Sequence, residues 1–297
     1  MKYTINSIAF LLFSAAMLGV SGCTEKKAEK HTNADSVATD SVTTSTTITD
    51  KFLKELPQVS EIPAMLQLTG ADFNPTLVNP SNKVESYTTT SDKAALNLGV
   101  YGTDIGYLAS YNKTQDILNH VKSAQKLAEK VGVTKIFDSS IQKRFESNLS
   151  KKDSLIGLVN ESMVTADKYL KESDRTNTSS LIAVGAFIEG LSISTGLIEK
   201  YPKNVSEEIR DGVLSNLILT IAKQKKTLGD LISILKAAKQ DATVKDFTTH
   251  LEELHKKFET LNIEEQLKNN KGDLKITPQI LTDIIPKVKE IRNKIIG

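Results

Sequence analysis

The chain has a single cysteine, Cys23, and no tryptophan among its 297 residues. With no second cysteine, an intrachain disulfide, covalent attachment of a c-type haem and a thiol catalyst other than Cys23 are all excluded. Aromatic residues make up 5% of the chain, which disfavours a sugar-binding site because such sites use exposed aromatic side chains. The formal net charge of +2 at pH 7 gives no electrostatic footprint for nucleic acid. We therefore expect no nucleic-acid partner.

Motifs that carry catalysis or bind metals are equally scarce. The sequence contains no G-x-S-x-G, no P-loop and no G-x-G-x-x-G. In "HLEELH", His250 and His255 are five residues apart, about 140° around a helix, so they cannot share one ion. Glu252 and His255 form one Glu-x-x-His motif, whereas a di-iron bundle needs two. We expect no metal, no cofactor and no catalytic residue that the sequence identifies.

The N-terminus reads as an export signal. A positive start, Met1–Lys2, precedes an apolar run over residues 5–20 that is too short to span a bilayer permanently. The "VSGC" that follows resembles the bacterial lipobox, in which the cysteine becomes the first residue of the mature protein. The resemblance implies a signal peptide over residues 1–22 and acyl chains such as palmitate on Cys23. Two or three such chains anchor a protein stably in a membrane.

Residues 23–50 join this anchor to the rest of the chain. The segment after Cys23 is rich in Ser and Thr and has no aromatic residue, so it predicts a disordered tether. "DSV" occurs twice and resembles a short O-glycosylation motif of Bacteroidetes-type bacteria. The sequence leaves open whether Ser36 and Ser41 are glycosylated or the repeat arises by chance. Residues 51–297 are predicted to form a single folded domain.

Apolar residues of the folded part recur at helical spacing. Phe247, Leu251, Leu254 and Phe258, for example, step by four, three and four, which predicts an amphipathic helix. Short connections predict mostly antiparallel neighbours. We therefore predict an all-α fold, a compact multi-helix bundle of about eight helices. They are expected near 92–110, 113–131, 139–149, 152–173, 178–200, 206–240, 243–262 and 278–296, with a kink at Pro286.

The helix near 178–200 is apolar on nearly all sides. Its core "LIAVGAFIEGLSISTGLI" has Glu189 at its centre, which favours a central helix of the bundle over a transmembrane span. We expect Gly185, Gly190 and Gly196 to let neighbouring helices approach closely.

Two acidic residues interrupt apolar surroundings. Asp104 lies in "LGVYGTDIGYLASY", with Tyr101 and Tyr107 three residues to either side, and Glu189 lies in the central helix. A buried carboxyl group must be paired, hydrogen bonded or neutral. The four residues thus form a candidate ligand-binding site. The alternative is that the two acids make buried hydrogen bonds that fix the register of the helices.

The stretches "ALNLGVYGTDIGY" and "IEGL", together with the lipobox, resemble a family of uncharacterised helical lipoproteins of Bacteroidetes-type bacteria. The resemblance implies an exported helical protein and carries over no residue roles. Thr24 after the cysteine fits sorting to the outer membrane. Because Glu25 is followed by two lysines, the periplasmic face is favoured over the cell surface.

Three functions are compatible with these features. The first is an envelope scaffold or partner-binding module. The second is a small-molecule or lipid carrier with a pocket between helices near Asp104 and Glu189. The third is an enzyme of unidentified type. A continuous cavity would favour the carrier, and a solid core with an exposed apolar groove would favour the scaffold.

Overall fold

The computed structural model describes residues 72–202, 206–261 and 278–297, which belong to one compact unit. Across these ranges the fold is all-α, with 84% of residues helical, nine helices and no strand. The signal peptide, Cys23, the tether and the two "DSV" serines lie outside the described residues, so those predictions stay predictions.

Eight of the nine helices lie where the apolar spacing predicts them, and a four-residue helix precedes them. Short 3-10 turns occupy parts of the connections, among them Pro278–Leu281. The helices are α1 (Val84–Tyr87), α2 (Ser91–Ser110), α3 (Thr114–Val131), α4 (Ser139–Ser147), α5 (Lys152–Glu172), α6 (Thr176–Lys200), α7 (Glu207–Ala237), α8 (Ala242–Leu261) and α9 (Ile284–Ile296).

The predicted kink at Pro286 is wrong. The last helix begins six residues later than expected, at Ile284, after the 3-10 turn Pro278–Leu281. Pro286 therefore lies in the first turn of α9, where backbone N–H groups have no partner within the helix. A proline costs little there, because the N–H it lacks would not have been used.

Helix α6 is the central helix of the bundle. It packs against α2, α5, α7 and α9. Of its most apolar 18-residue stretch, 89% is buried inside the protein. Among the described residues it is the one helix that is long and apolar enough to cross a membrane. Its burial inside the bundle is typical of a core helix. The predicted central position is thus confirmed.

Helices α2 and α6 cross with their backbones in direct contact. A Cβ atom on Gly185 would lie 1.8 Å from the carbonyl oxygen of Leu96, and one on Gly99 would lie 2.1 Å from that of Ile182. Any side chain at either position would force the helices apart. The close approach predicted at Gly185 is confirmed, but a Cβ on Gly190 would meet no atom within 4 Å.

Candidate functional site

A pair of carboxyl groups is buried where α2 meets α6. Asp104 and Glu189 are both 0% exposed. Burial raises the pKa of Asp104 well above its ordinary value, and the charge of Glu189 and a hydrogen bond with it raise that pKa further. Burial beside Glu189 thus favours the protonated form of Asp104. These are the two acids that lie in apolar surroundings in the sequence.

Helix α9 supplies the cation that balances Glu189. Arg292 donates from Nε to Oε2 of Glu189 and from Nη2 to Oε1, both at 2.7 Å. This planar, two-bond geometry is the strongest form of an ion pair between side chains. The opposite charges of Arg292 and Glu189 compensate each other, which makes the burial of this pair tolerable.

Asn79 ties the segment before α1 to this cluster. Its backbone N–H donates to Oδ2 of Asp104 at 3.2 Å, and its Oδ1 accepts from the hydroxyl of Tyr87 at 3.2 Å. Its carbonyl oxygen lies 2.9 Å from Nε2 of His120 on α3. Asn79 is thus bonded to three helices, and the polar core is continuous from the acid pair to α3.

The two tyrosines of the predicted site belong to different surroundings. The hydroxyl of Tyr101 donates to the carbonyl of Pro80 at 2.9 Å, and burial raises its pKa. The hydroxyl of Tyr107 instead accepts from the backbone of Asn74 at 3.1 Å, and burial raises the pKa of Tyr107 to about 12. Tyr101 borders the acid cluster, whereas Tyr107 packs in an aromatic group with Phe73.

A cavity opens on the other side of α2 and α6, where α5 and α7 form its walls. The empty space measures about 1180 Å³, including the solvent at its mouth. Small residues of α2 and α6 create the space, and larger apolar side chains surround it. The small residues are Gly102, Gly106, Ala183, Ala186 and Gly190. The larger ones include Val159, Met163, Phe187, Leu191 and Ile221.

The cavity and the acid pair lie on opposite faces of α2. Gly102 and Gly106 line the cavity, and Asp104 is two residues from each, which places it about 160–200° around the helix. Neither Asp104 nor Glu189 is among the lining residues. The cavity is therefore close to the predicted ligand residues in sequence but separated from them by the helix itself.

Five polar side chains that line this otherwise apolar space are themselves almost fully buried, namely Thr103, Asp167, Ser179, Ser194 and Gln224. Gln224 is 8% exposed, and its Nε2 donates to the carbonyl of Thr220 at 3.2 Å. Its Oε1 is buried and has no hydrogen-bond partner among the described residues. Asp167 accepts from the hydroxyl of Ser179 and forms an ion pair with Lys171 at 2.7 Å.

A smaller cavity of about 390 Å³ lies behind the first, between α2, α3, α4 and α5. Gly102, Val159 and Met163 line both cavities. A Cβ on Gly102 would lie 3.0 Å from Cε of Met163. The flexible thioether of Met163 thus forms part of the partition between the two spaces.

The histidines of "HLEELH" lie against different neighbours. His250 has Nδ1 2.8 Å from the carbonyl of Asp246 and Nε2 3.6 Å from a carboxylate oxygen of Glu290. His255 instead has Nδ1 3.5 Å from Glu259. Within the described ranges no three His, Cys, Asp or Glu side chains come together as a metal site would require.

Sequence reasoning missed Arg292, Asn79 and the cavity. Arg292 borders the apolar stripe of α9, next to Ile291, and two buried acids require a cation, so this arginine was a discoverable partner. Asn79 lies in a segment with no helical pattern and gave no signal. The cavity arises from Gly102, Gly190 and their neighbours, and small residues alone do not distinguish close packing from empty space.

Comparisons of the chain with protein-family models, with curated proteins and with solved structures find no match. The resemblance to helical lipoproteins therefore stays a prediction, and the functional proposal rests on the geometry.

Proposed function

We propose that this protein is a lipid-anchored, exported binding protein that carries an apolar small molecule in the cavity between α2, α5, α6 and α7. The observation that carries the proposal is the cavity itself, a space between helices with mainly apolar walls and several polar groups. Sites for small ligands have this character. A space lined by Ala, Leu, Ile and Phe is filled favourably by apolar atoms, because it offers water few hydrogen bonds.

The surface favours this function over the scaffold. Among the described residues only Val164, at 46%, and Tyr169 are large apolar side chains that are exposed. Val164 lines the cavity, so it belongs to the opening of the binding site. An apolar groove for a protein partner would require a larger exposed patch than these two side chains provide.

The acid cluster supports the carrier by bracing it. Asp104 and Glu189 are 0% exposed and bonded within the protein, so their contacts connect α2, α6 and α9. A cavity survives only if its walls do not collapse. The cluster and the backbone contact at Gly185 hold α2 and α6 in place, and these helices form the floor of the cavity.

The proposed lipid anchor determines the cellular location of such a carrier. Acyl chains on Cys23 would hold it at the outer membrane, with the periplasmic face favoured. A membrane-bound carrier has direct access to apolar molecules that are poorly soluble in water.

Native mass spectrometry of the protein purified from its own cells tests the proposal. We expect a stoichiometric small-molecule adduct that is lost in Gly190→Leu, because this side chain would project into the cavity. Retention of the adduct in Gly190→Leu, together with its loss in Glu189→Gln, would place the ligand at the acid pair instead.

A further inference from the structure

The polar groups on the cavity wall have largely used their hydrogen-bond donors within the protein. The hydroxyl of Ser179 donates to Asp167. Thr103 donates to a backbone carbonyl of α6 at 3.2 Å, and Ser194 donates to a carbonyl one turn earlier in its own helix at 2.6 Å. Because these hydroxyl donors are used within the protein, the hydroxyl oxygens remain available to a ligand only as hydrogen-bond acceptors.

Gln224 is the clearest of these acceptors. Its Nε2 is bonded to Thr220, while its Oε1 is buried without a partner among the described residues. An unpaired buried acceptor is unfavourable, and native proteins rarely retain one without a use. A ligand that brings a donor to this oxygen would remove the penalty.

We propose that the cavity binds a neutral amphiphile, with an apolar chain against the apolar walls and a hydroxyl or amide N–H that donates to Oε1 of Gln224. This inference rests on the proposed function and names its ligand class. Alkyl alcohols and monoacylglycerols have the required chemistry, since each combines an alkyl chain with an uncharged hydroxyl donor.

An anionic amphiphile fits the same wall less well. A carboxylate accepts hydrogen bonds and donates none, so it would set its oxygens against Oε1 of Gln224 and the carboxylate of Asp167. Asn160 carries an amide donor and also lines the cavity, but it is exposed and exchanges its hydrogen bonds with water. The wall therefore disfavours a fatty acid, because it offers the carboxylate no buried cation and only the second N–H of the Gln224 amide as a buried donor.

Three probes of equal chain length separate these possibilities. Decan-1-ol has a donor, 1-methoxydecane is neutral without one, and decanoate is anionic without one. Each is titrated against the purified protein in detergent-free buffer, with the fluorescent dye N-phenyl-1-naphthylamine bound beforehand. We expect decanol to displace the dye roughly five- to tenfold more tightly than the ether, the worth of one hydrogen bond. Decanoate should be the weakest of the three.

Gln224→Leu should abolish the preference for the alcohol over the ether and leave binding of the ether nearly unchanged. Asn160→Leu is the matched control, because it removes an amide from the mouth of the same cavity and should retain the preference. Circular dichroism and thermal melting establish that both variants fold.

These experiments distinguish failure of the Gln224 hydrogen bond from failure of the proposed carrier function. If alcohol and ether bind the unmodified protein equally, or if the preference survives Gln224→Leu, the headgroup assignment is overturned while the carrier stands. The comparison in the unmodified protein holds even if Gln224→Leu does not fold. If no probe displaces the dye, or the dye does not bind, the proposed function itself fails.

Discussion

Arg292 and Glu189 are 103 residues apart in sequence and are joined by two hydrogen bonds of 2.7 Å in the core. The contact holds α9 against the central helix α6. Because Glu189 also lies close enough to Asp104 of α2 to raise the pKa of that acid, one cluster connects three helices. Its stability and its protonation can both be measured.

Removal of Arg292 should destabilise the fold strongly. Arg292→Met leaves Glu189 charged and unpaired in the core, which costs about 3–5 kcal/mol of unfolding free energy. Lys289→Met is the control on the same helix, since the pair between Lys289 and Glu199 is largely exposed and is worth less than about 1 kcal/mol. Urea denaturation compares the two, and equal losses would contradict the role given to Arg292.

The raised pKa of Asp104 predicts that the stability of the fold depends on pH. The pKa of Asp104 in the fold lies above its ordinary value of 3.8, so the native state retains a proton at pH values where the unfolded chain has released it. Its contribution to stability is present below about pH 4 and is lost as pH rises toward the folded pKa. Asp104→Asn cannot ionise and should gain stability relative to the unmodified protein as pH rises above about 4. A constant difference across this range would show that Asp104 is ionised in the fold.

Two glycines of α6 should respond in opposite ways to alanine. In Gly185→Ala the new Cβ would lie 1.8 Å from the carbonyl oxygen of Leu96, which predicts a loss of about 3 kcal/mol or more, or failure to fold. In Gly190→Ala the Cβ meets nothing within 4 Å, so the better helix propensity should stabilise the protein by about 0.5–1 kcal/mol. Thermal melting of both variants checks this, and similar melting temperatures would refute the backbone contact.

Cys23→Ser tests the anchor. The change removes the sulfur that would carry the lipid, so we expect the chain to keep its signal peptide and migrate as the larger precursor. Mass spectrometry and membrane fractionation report the result. Processed, membrane-bound protein in the variant would mean that the attachment does not use Cys23.

The sequence predicted the amphipathic helices well because each buries an apolar stripe with a regular period, and it predicted α6 from the length of its apolar run. Capping residues are harder to predict than helix positions. The first-turn N–H groups of α4 and α8 are capped by Asp138 and Asp241, although the spacings of Ser139 with Gln142 and of Thr243 with Asp246 also resemble capping motifs. Several polar residues near each start can serve as caps, and local spacing does not choose among them.

The candidate site was predicted in part. The apolar surroundings of Asp104 and Glu189 indicated two buried acids, and the structure brings them together. The position of Arg292 beside the apolar stripe of α9 marks it as a possible partner, but which acid it reaches depends on how α9 packs, and no local pattern encodes that. Tyr107 shares a helix with Asp104 but bonds to Asn74 in a separate aromatic group.

The carrier function is tested most directly by comparing how tightly an apolar dye binds to the unmodified protein and to a variant whose cavity is filled by a larger side chain. Gly190→Leu directs a large side chain into the cavity, while Gly157→Leu places the same change on an exposed face of α5 that lines neither cavity. Both replace a helical glycine and should raise stability similarly. We predict that N-phenyl-1-naphthylamine binds the unmodified protein and Gly157→Leu equally, and binds Gly190→Leu at least about tenfold more weakly. Equal binding to all three proteins would show that the cavity is not the binding site.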